Sequence, residues 1–173
     1  MELLTHPHWE VFYALEDADR ARRQHLEEIV MLLCWIATVD AFQHWLYTHP
    51  EHTQKERAKA WTELRRKFGG IVDWEGYEEA LGWEWHRQLH IFLYPFYYIE
   101  YGIAQLGALG IWTQSLRDQK AALGNYKKAL SLGGSEPLPE LFRAAALDFD
   151  FGERAVSQAS ARLRDVLTRS WGS

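Results

Sequence analysis

Residues 9–49, WEVFYALEDADRARRQHLEEIVMLLCWIATVDAFQHWLYTH, contain neither glycine nor proline. A run of that length without either breaker reads as long helix, within which Asp17 or Asp19 could cap a new start. Leu26, Ile29, Val30, Leu33, Ile36, Ala37 and Phe42 recur at helical spacing. Working outward, THPEHT breaks the helix at Pro50. QKERAKAWTELRRKF (54–68) is a charged amphipathic helix with Trp61, Leu64 and Phe68 on one face, stopped by Gly69-Gly70. Asp73 reads as an N-cap, with Glu75, Glu78 and Glu79 near the positive end of the next helix dipole. That helix is expected to reach about Tyr94, and Pro95 to open the following one. A further helix covers 118–132 and ends at Gly133-Gly134. SEPLPE leads into a short helix through Ala146, and Asp150 caps a last helix to about Arg169. No segment alternates at period two. The expectation is an all-α chain, one domain over 1–173, of six or seven helices.

The 173 residues are 47% hydrophobic, enough for a substantial core. Nine tryptophans and eight tyrosines are many, and large aromatics supply much burial energy. Nineteen basic against 24 acidic residues leave a net charge of −5, which speaks against nucleic acid or an anionic membrane surface as partner. The single cysteine, Cys34, has no partner for an internal disulfide, so a reducing, cytoplasmic setting is expected. The N-terminal residues show no basic region followed by a long apolar stretch, so no signal peptide is read there.

Eight histidines invite a metal reading. His86 and His90 are four apart and would share a helix face. A zincin helix has a glutamate after its first histidine, whereas Arg87 stands here, and no third ligand is near. His6/His8 and His49/His52 flank prolines and read as solvent-exposed loop residues. No glutamate has a histidine three residues on, which argues against a di-iron bundle. There is no phosphate-binding glycine loop, no Gly-x-Ser-x-Gly elbow and no paired-cysteine motif. Cys34, within MLLCWIA, reads as core. ALGNYKKALSLGG resembles half of a tetratricopeptide unit, but no second copy follows at the right period.

That leaves HIFLYPFYYIEYGIAQLGALGIW (90–112). It is long enough to span a bilayer, yet His90, Glu100 and the interrupting Pro95 favour a buried helix pair. Tyr94, Tyr98, Tyr101 and Gln105 follow one another at spacings of four, three and four. On one helix they would form a polar stripe, with Tyr97, Ile99, Ile103, Leu106 and Leu109 pointing elsewhere. Ala104, Gly107, Ala108 and Gly110 leave room for a neighbour to approach closely. The stripe is read either as a hydrogen-bond network in an aromatic core or as one wall of an active site.

Residues 90–112, with DAFQHWLYTHPEH (40–52), VDWEGYE (72–78) and Y-x-x-A-L-x-L-G-G-S (126–135), resemble the C-terminal part of the oligoendopeptidase F branch of the thimet-oligopeptidase-like zinc metallopeptidases. The resemblance covers essentially the whole chain, in order. It implies a mostly helical, two-lobed fold that cuts short peptides in a deep channel. It also implies zinc held by a His-Glu-x-x-His helix and a later glutamate, with the motif glutamate activating the zinc-bound water. By motif, Tyr101 is then the tyrosine that helps stabilise the oxyanion of the tetrahedral intermediate. His90 would hydrogen-bond substrate or intermediate, and Tyr94 and Tyr98 would line the substrate site. More distant members carry one more residue between the histidine and the first tyrosine.

This chain departs from that pattern in one respect. No His-Glu-x-x-His occurs in it, and Glu2 does not match the family's third ligand, which precedes a segment like Met1-Glu2-Leu3-Leu4. The expectation is a channel wall without the zinc site: no metal on this chain alone, and no peptide hydrolysis by it alone. Self-association, for example as a homodimer, or a partner lobe carrying the zinc helix, is expected to cover apolar surface. A free-standing helical module that binds peptide or protein is the alternative.

Overall fold

A computed structural model describes residues 1–70 and 72–169. Among them it is all-helical: α1 (Glu2–Thr5), α2 (Leu15–Thr48), α3 (Gln54–Phe68), α4 (Glu78–Trp83), α5 (His90–Leu93), α6 (Ile99–Ser115), α7 (Gln119–Leu132), α8 (Leu138–Ala144) and α9 (Glu153–Arg169). Short 3-10 turns cover His6–Val11 and Glu84–Arg87. The all-α expectation holds. The helix count is higher than expected because α1 precedes the first expected helix and the expected helix 73–94 divides into α4 and α5.

The helix ends follow local chemistry. Thr53 Oγ1 accepts from the Glu56 N–H, and the Glu56 carboxylate accepts from the Thr53 N–H, a reciprocal cap that opens α3. Asp118 accepts from the Ala121 N–H and caps α7. Asp73 is not a helix cap. Its Oδ1 accepts from the Glu75 N–H in a turn, Gly76 takes a positive φ of 79°, and the helix starts only at Glu78. Asp150 likewise closes the turn before α9, accepting from the Gly152 N–H and pairing with Arg154. The Gly152 N–H, then Arg154, hold its carboxyl below the ordinary range.

The expected helix from Asp73 to Tyr94 is divided: α4 ends at Trp83, a 3-10 turn covers Glu84–Arg87, and α5 starts only at His90. Its end near Tyr94 falls where expected and has a clear cause. Pro95 disfavours the helical conformation in the residue before it, and Tyr94 is extended at φ −138°, ψ 70°. Phe96 then takes a left-handed φ of 61°, which a non-glycine residue adopts at some cost in energy. Its ring packs on His44 and Tyr47 of α2, at 4.9 and 5.1 Å between centroids. The chain re-enters helix at Ile99, not at Pro95.

The chain forms two compact units, Met1–Glu27 with the chain from Ile103 onward, and Glu28–Gly102. In the first, Leu3, Leu4, Leu26, Leu109, Trp112, Ala145 and Leu163 are buried. Gly107 and Gly110 of α6 face Phe142 and Leu147, the close approach expected of those small residues. His6 is buried, contrary to the loop reading. Its Nε2 lies 2.7 Å from His25 Nδ1, its ring meets Trp9 edge-on, and Arg22 donates to its carbonyl. The second unit centres on Val39, Phe42, Ala60, Trp61, Trp85 and Ile91. Trp61 and Phe42 have no exposed surface, and each such side chain contributes about 1.5–3 kcal/mol of burial.

By length and composition α2 is apolar enough to cross a membrane, a test that core helices also pass. Here its Ile36, Val39 and Phe42 are buried within the second unit.

Candidate active site

The residues singled out in 90–101 do come together, though not on one helix. All lie in the second unit. His90 opens α5, the extended Tyr94 and the Pro95-Phe96 turn reverse the chain, and Tyr97, Tyr98 and Tyr101 flank the start of α6. Backbone bonds from the Tyr94 N–H to His90 O and from the Tyr97 N–H to Tyr94 O hold the turn. The His90 ring meets Tyr98 edge-on at 5.0 Å and Tyr101 at 5.7 Å. Tyr94 stands 6.2 Å away, tilted. Tyr97, expected to point elsewhere, lies parallel to His90 at 6.2 Å and 10°. The turn accounts for this, because helical spacing does not hold through it. Gln105 belongs to the first unit, where it lines an apolar cleft of about 630 Å³ with Ala104, Ala108 and Phe142.

His90 Nε2 lies 3.3 Å from the Tyr101 hydroxyl, and His90 Nδ1 lies 2.7 Å from Gln88 Nε2. Trp35 of α2 donates its indole N–H to Gln88 Oε1 at 3.0 Å. Gln88 and Trp35 carried no signal in the sequence reading. Gln88 ends a 3-10 turn and Trp35 is one apolar residue among many on a long helix. Burial raises the Tyr98 hydroxyl above the ordinary tyrosine range, and the neighbouring Trp35 indole works against that. Tyr101 is 42% exposed and Tyr94 58%, so both are open to the surface.

Behind it sits an ion-pair group. Glu84 pairs with Arg65 at 2.7 Å and with Arg87 at 3.3 Å. Both guanidiniums lie over the Trp35 ring, at 5.2 and 4.5 Å from its centroid.

The residues present do not fit a zinc site. Among the described residues no group of three or more His, Cys, Asp and Glu is placed to hold a metal ion. His86 is not on a helix with His90. It lies in the 3-10 turn, where its Nδ1–H donates to the Trp83 carbonyl at 2.9 Å and its ring stacks on Trp85. Cys34 is half-buried and unpaired with any cysteine.

Comparison with known proteins adds relatives. Residues 1–160 match the family model described as Peptidase family M3. No curated protein matches the chain. A solved structure provisionally named oligoendopeptidase F superposes with a TM-score of 0.87 at 34% identity over 96% of this chain and 30% of its own. PZ peptidase A, solved with an inhibitor, gives 0.86 at 34% over 97% and 30%. A provisionally named oligoendopeptidase F from Bacillus anthracis str. Ames gives 0.74 at 28% over 97% and 27%. The chain thus spans about 30% of the length of the two structures it matches at 34% identity.

Proposed function

The chain belongs to peptidase family M3, and from that premise we propose that it supplies the C-terminal, substrate-channel portion of a cytoplasmic zinc oligoendopeptidase acting on short peptides. Tyr101 is the donor that stabilises the oxyanion of the tetrahedral intermediate, and His90 contacts substrate or intermediate. Tyr94 and Tyr98 line the channel. The observation that carries the reading is the His90–Tyr101 contact at 3.3 Å, with the tyrosine open to the surface and flanked by Tyr97 and Tyr98. A hydroxyl held by its neighbours is pre-organised, and such a donor acts where charge develops.

Zinc in this proposal comes from residues of a longer family chain. These 173 residues contain no His-Glu-x-x-His, and by themselves are expected neither to hold the metal nor to hydrolyse peptides. Nucleic acid and membrane are not partners in this reading.

The test belongs in a family chain that carries both this segment and the zinc motif. Tyr101→Phe should lower kcat by about 10²-fold with little change in KM, because the lost bond is made mainly in the transition state. Unchanged kcat would sink the role given to Tyr101.

A second reading has its own support. Leu89, Phe92, Leu93, Tyr94 and Tyr97 are each at least half exposed and adjacent in sequence. Such a strip also suits a module that holds an extended peptide, or a zinc-carrying partner lobe, without chemistry of its own.

A further inference from the structure

Three contacts in the second unit run in one direction. Trp35 Nε1 lies 3.0 Å from Gln88 Oε1. An indole nitrogen only donates, so the amide oxygen must face it. The Gln88 NH2 group is thereby turned to His90 Nδ1, 2.7 Å away, and an NH2 group also only donates. A neutral imidazole has one N–H and one lone pair, and the partner of one nitrogen decides which nitrogen carries the proton. Nδ1 therefore accepts, and the proton sits on Nε2. That nitrogen faces the Tyr101 hydroxyl at 3.3 Å and donates to its oxygen. A hydroxyl whose oxygen is already accepting keeps its own O–H free to donate elsewhere.

The chain's first member is itself held. The Arg65 and Arg87 guanidiniums lie over the Trp35 ring, and Glu84 pairs with both. The Arg65 and Glu84 side chains are each only 12% exposed, so that pair is largely screened from water, while Arg87 is 65% exposed.

We infer that Gln88 and Trp35 are positioning residues: they hold His90 as the Nε2–H tautomer and so leave the Tyr101 O–H as an outward hydrogen-bond donor. That the acceptor is a peptide carbonyl oxygen on its way to an oxyanion rests on the function proposed above. The tautomer and the direction of the bonds do not.

The test is nitrogen NMR of the histidine rings in this chain, with no substrate or metal, at a pH well above the ordinary histidine range. His90→Gln assigns the His90 signals by their loss. The expected spectrum shows His90 Nε2 protonated and Nδ1 as a bare, hydrogen-bonded nitrogen. Free imidazole already leans toward that tautomer, so the decisive reading is the variant Gln88→Glu. A carboxylate accepts from both neighbours, so the proton should move to Nδ1 and the two nitrogen shifts exchange. A parent spectrum with Nδ1 protonated, or a Gln88→Glu spectrum with the tautomer unmoved, overturns the inference. Should Gln88→Glu fail to fold, Gln88→Leu replaces it. Loss of the amide donor should shift Nδ1 toward a free lone pair, and an unmoved Nδ1 overturns the inference. The failure of the oxyanion role would be seen separately, as unchanged turnover in Tyr101→Phe.

Discussion

His6 is one of two histidines flanking Pro7, the usual mark of an exposed loop, yet it is 6% exposed. Burial first, then the charges of His25 and Arg22, lower its pKa from 6.5 to about 4. The unfolded chain therefore binds a proton at His6 that the folded chain refuses between those values. Stability from this group is complete above about pH 6.5 and is lost as pH falls toward 4. The urea midpoint should drop between pH 7.5 and pH 5, and His6→Gln should flatten that dependence. An equally steep drop in the variant would place the titration elsewhere. A neighbour-by-neighbour reading of MELLTHPHWE has no access to His25, nineteen residues away, which makes the burial possible.

Among the elements, α6 shows most directly how a side chain's absence matters. A Cβ on Gly107 would stand 3.0 Å from Phe142 Cζ, whereas one on Gly124 in α7 would meet nothing within 4 Å. Gly107→Val should therefore cost about 1–3 kcal/mol through overpacking. Gly124→Ala should gain up to about 1 kcal/mol through helix propensity. Urea unfolding of both variants reads the contrast, and equal shifts would mean that Phe142 does not pack against α6 as described. The small residues of α6 were legible as a close-approach face, but their partner was not. The break at Tyr94-Pro95 is local chemistry that the sequence reading placed one residue late. The delay of α6 to Ile99 has a tertiary contribution, because the left-handed Phe96 is accommodated by packing its ring on α2.

At the scale of the molecule, the chain spans about 30% of the solved relatives it matches at 34% identity, while large apolar side chains lie open along 89–99. Leu89 is 60% exposed and Leu93 56%. Apolar strips of this kind favour association. Sedimentation at micromolar concentration should give a mass above the 20.3 kDa of one chain, and a clean monomer would refute self-association. Charge-to-alanine changes at Arg65 or Glu84 act at this scale too. With both side chains 12% exposed, removing one leaves the other short of its partner in a poorly solvated place, and thermal unfolding should register a loss of about 2–4 kcal/mol.

Sequence alone determined the helical class, the ends of α3 and α7, the apolar face of α3 that carries Trp61, and the family, because these rest on breaker residues, periodicity and motif, all properties of neighbours along the chain. The same reading found His90, Tyr94, Tyr98 and Tyr101 as a set, with Pro95 marking a break among them. Tertiary structure decided that a proline-bent turn, not a helix face, gathers them, that Tyr97 joins, and that Trp35 and Gln88 stand behind His90. The physical reason is that hydrogen-bond direction depends on which donors and acceptors fall within about 3 Å of each other. Trp35 and Gln88 are 53 residues apart in the chain, and only folding brings an indole N–H to that amide.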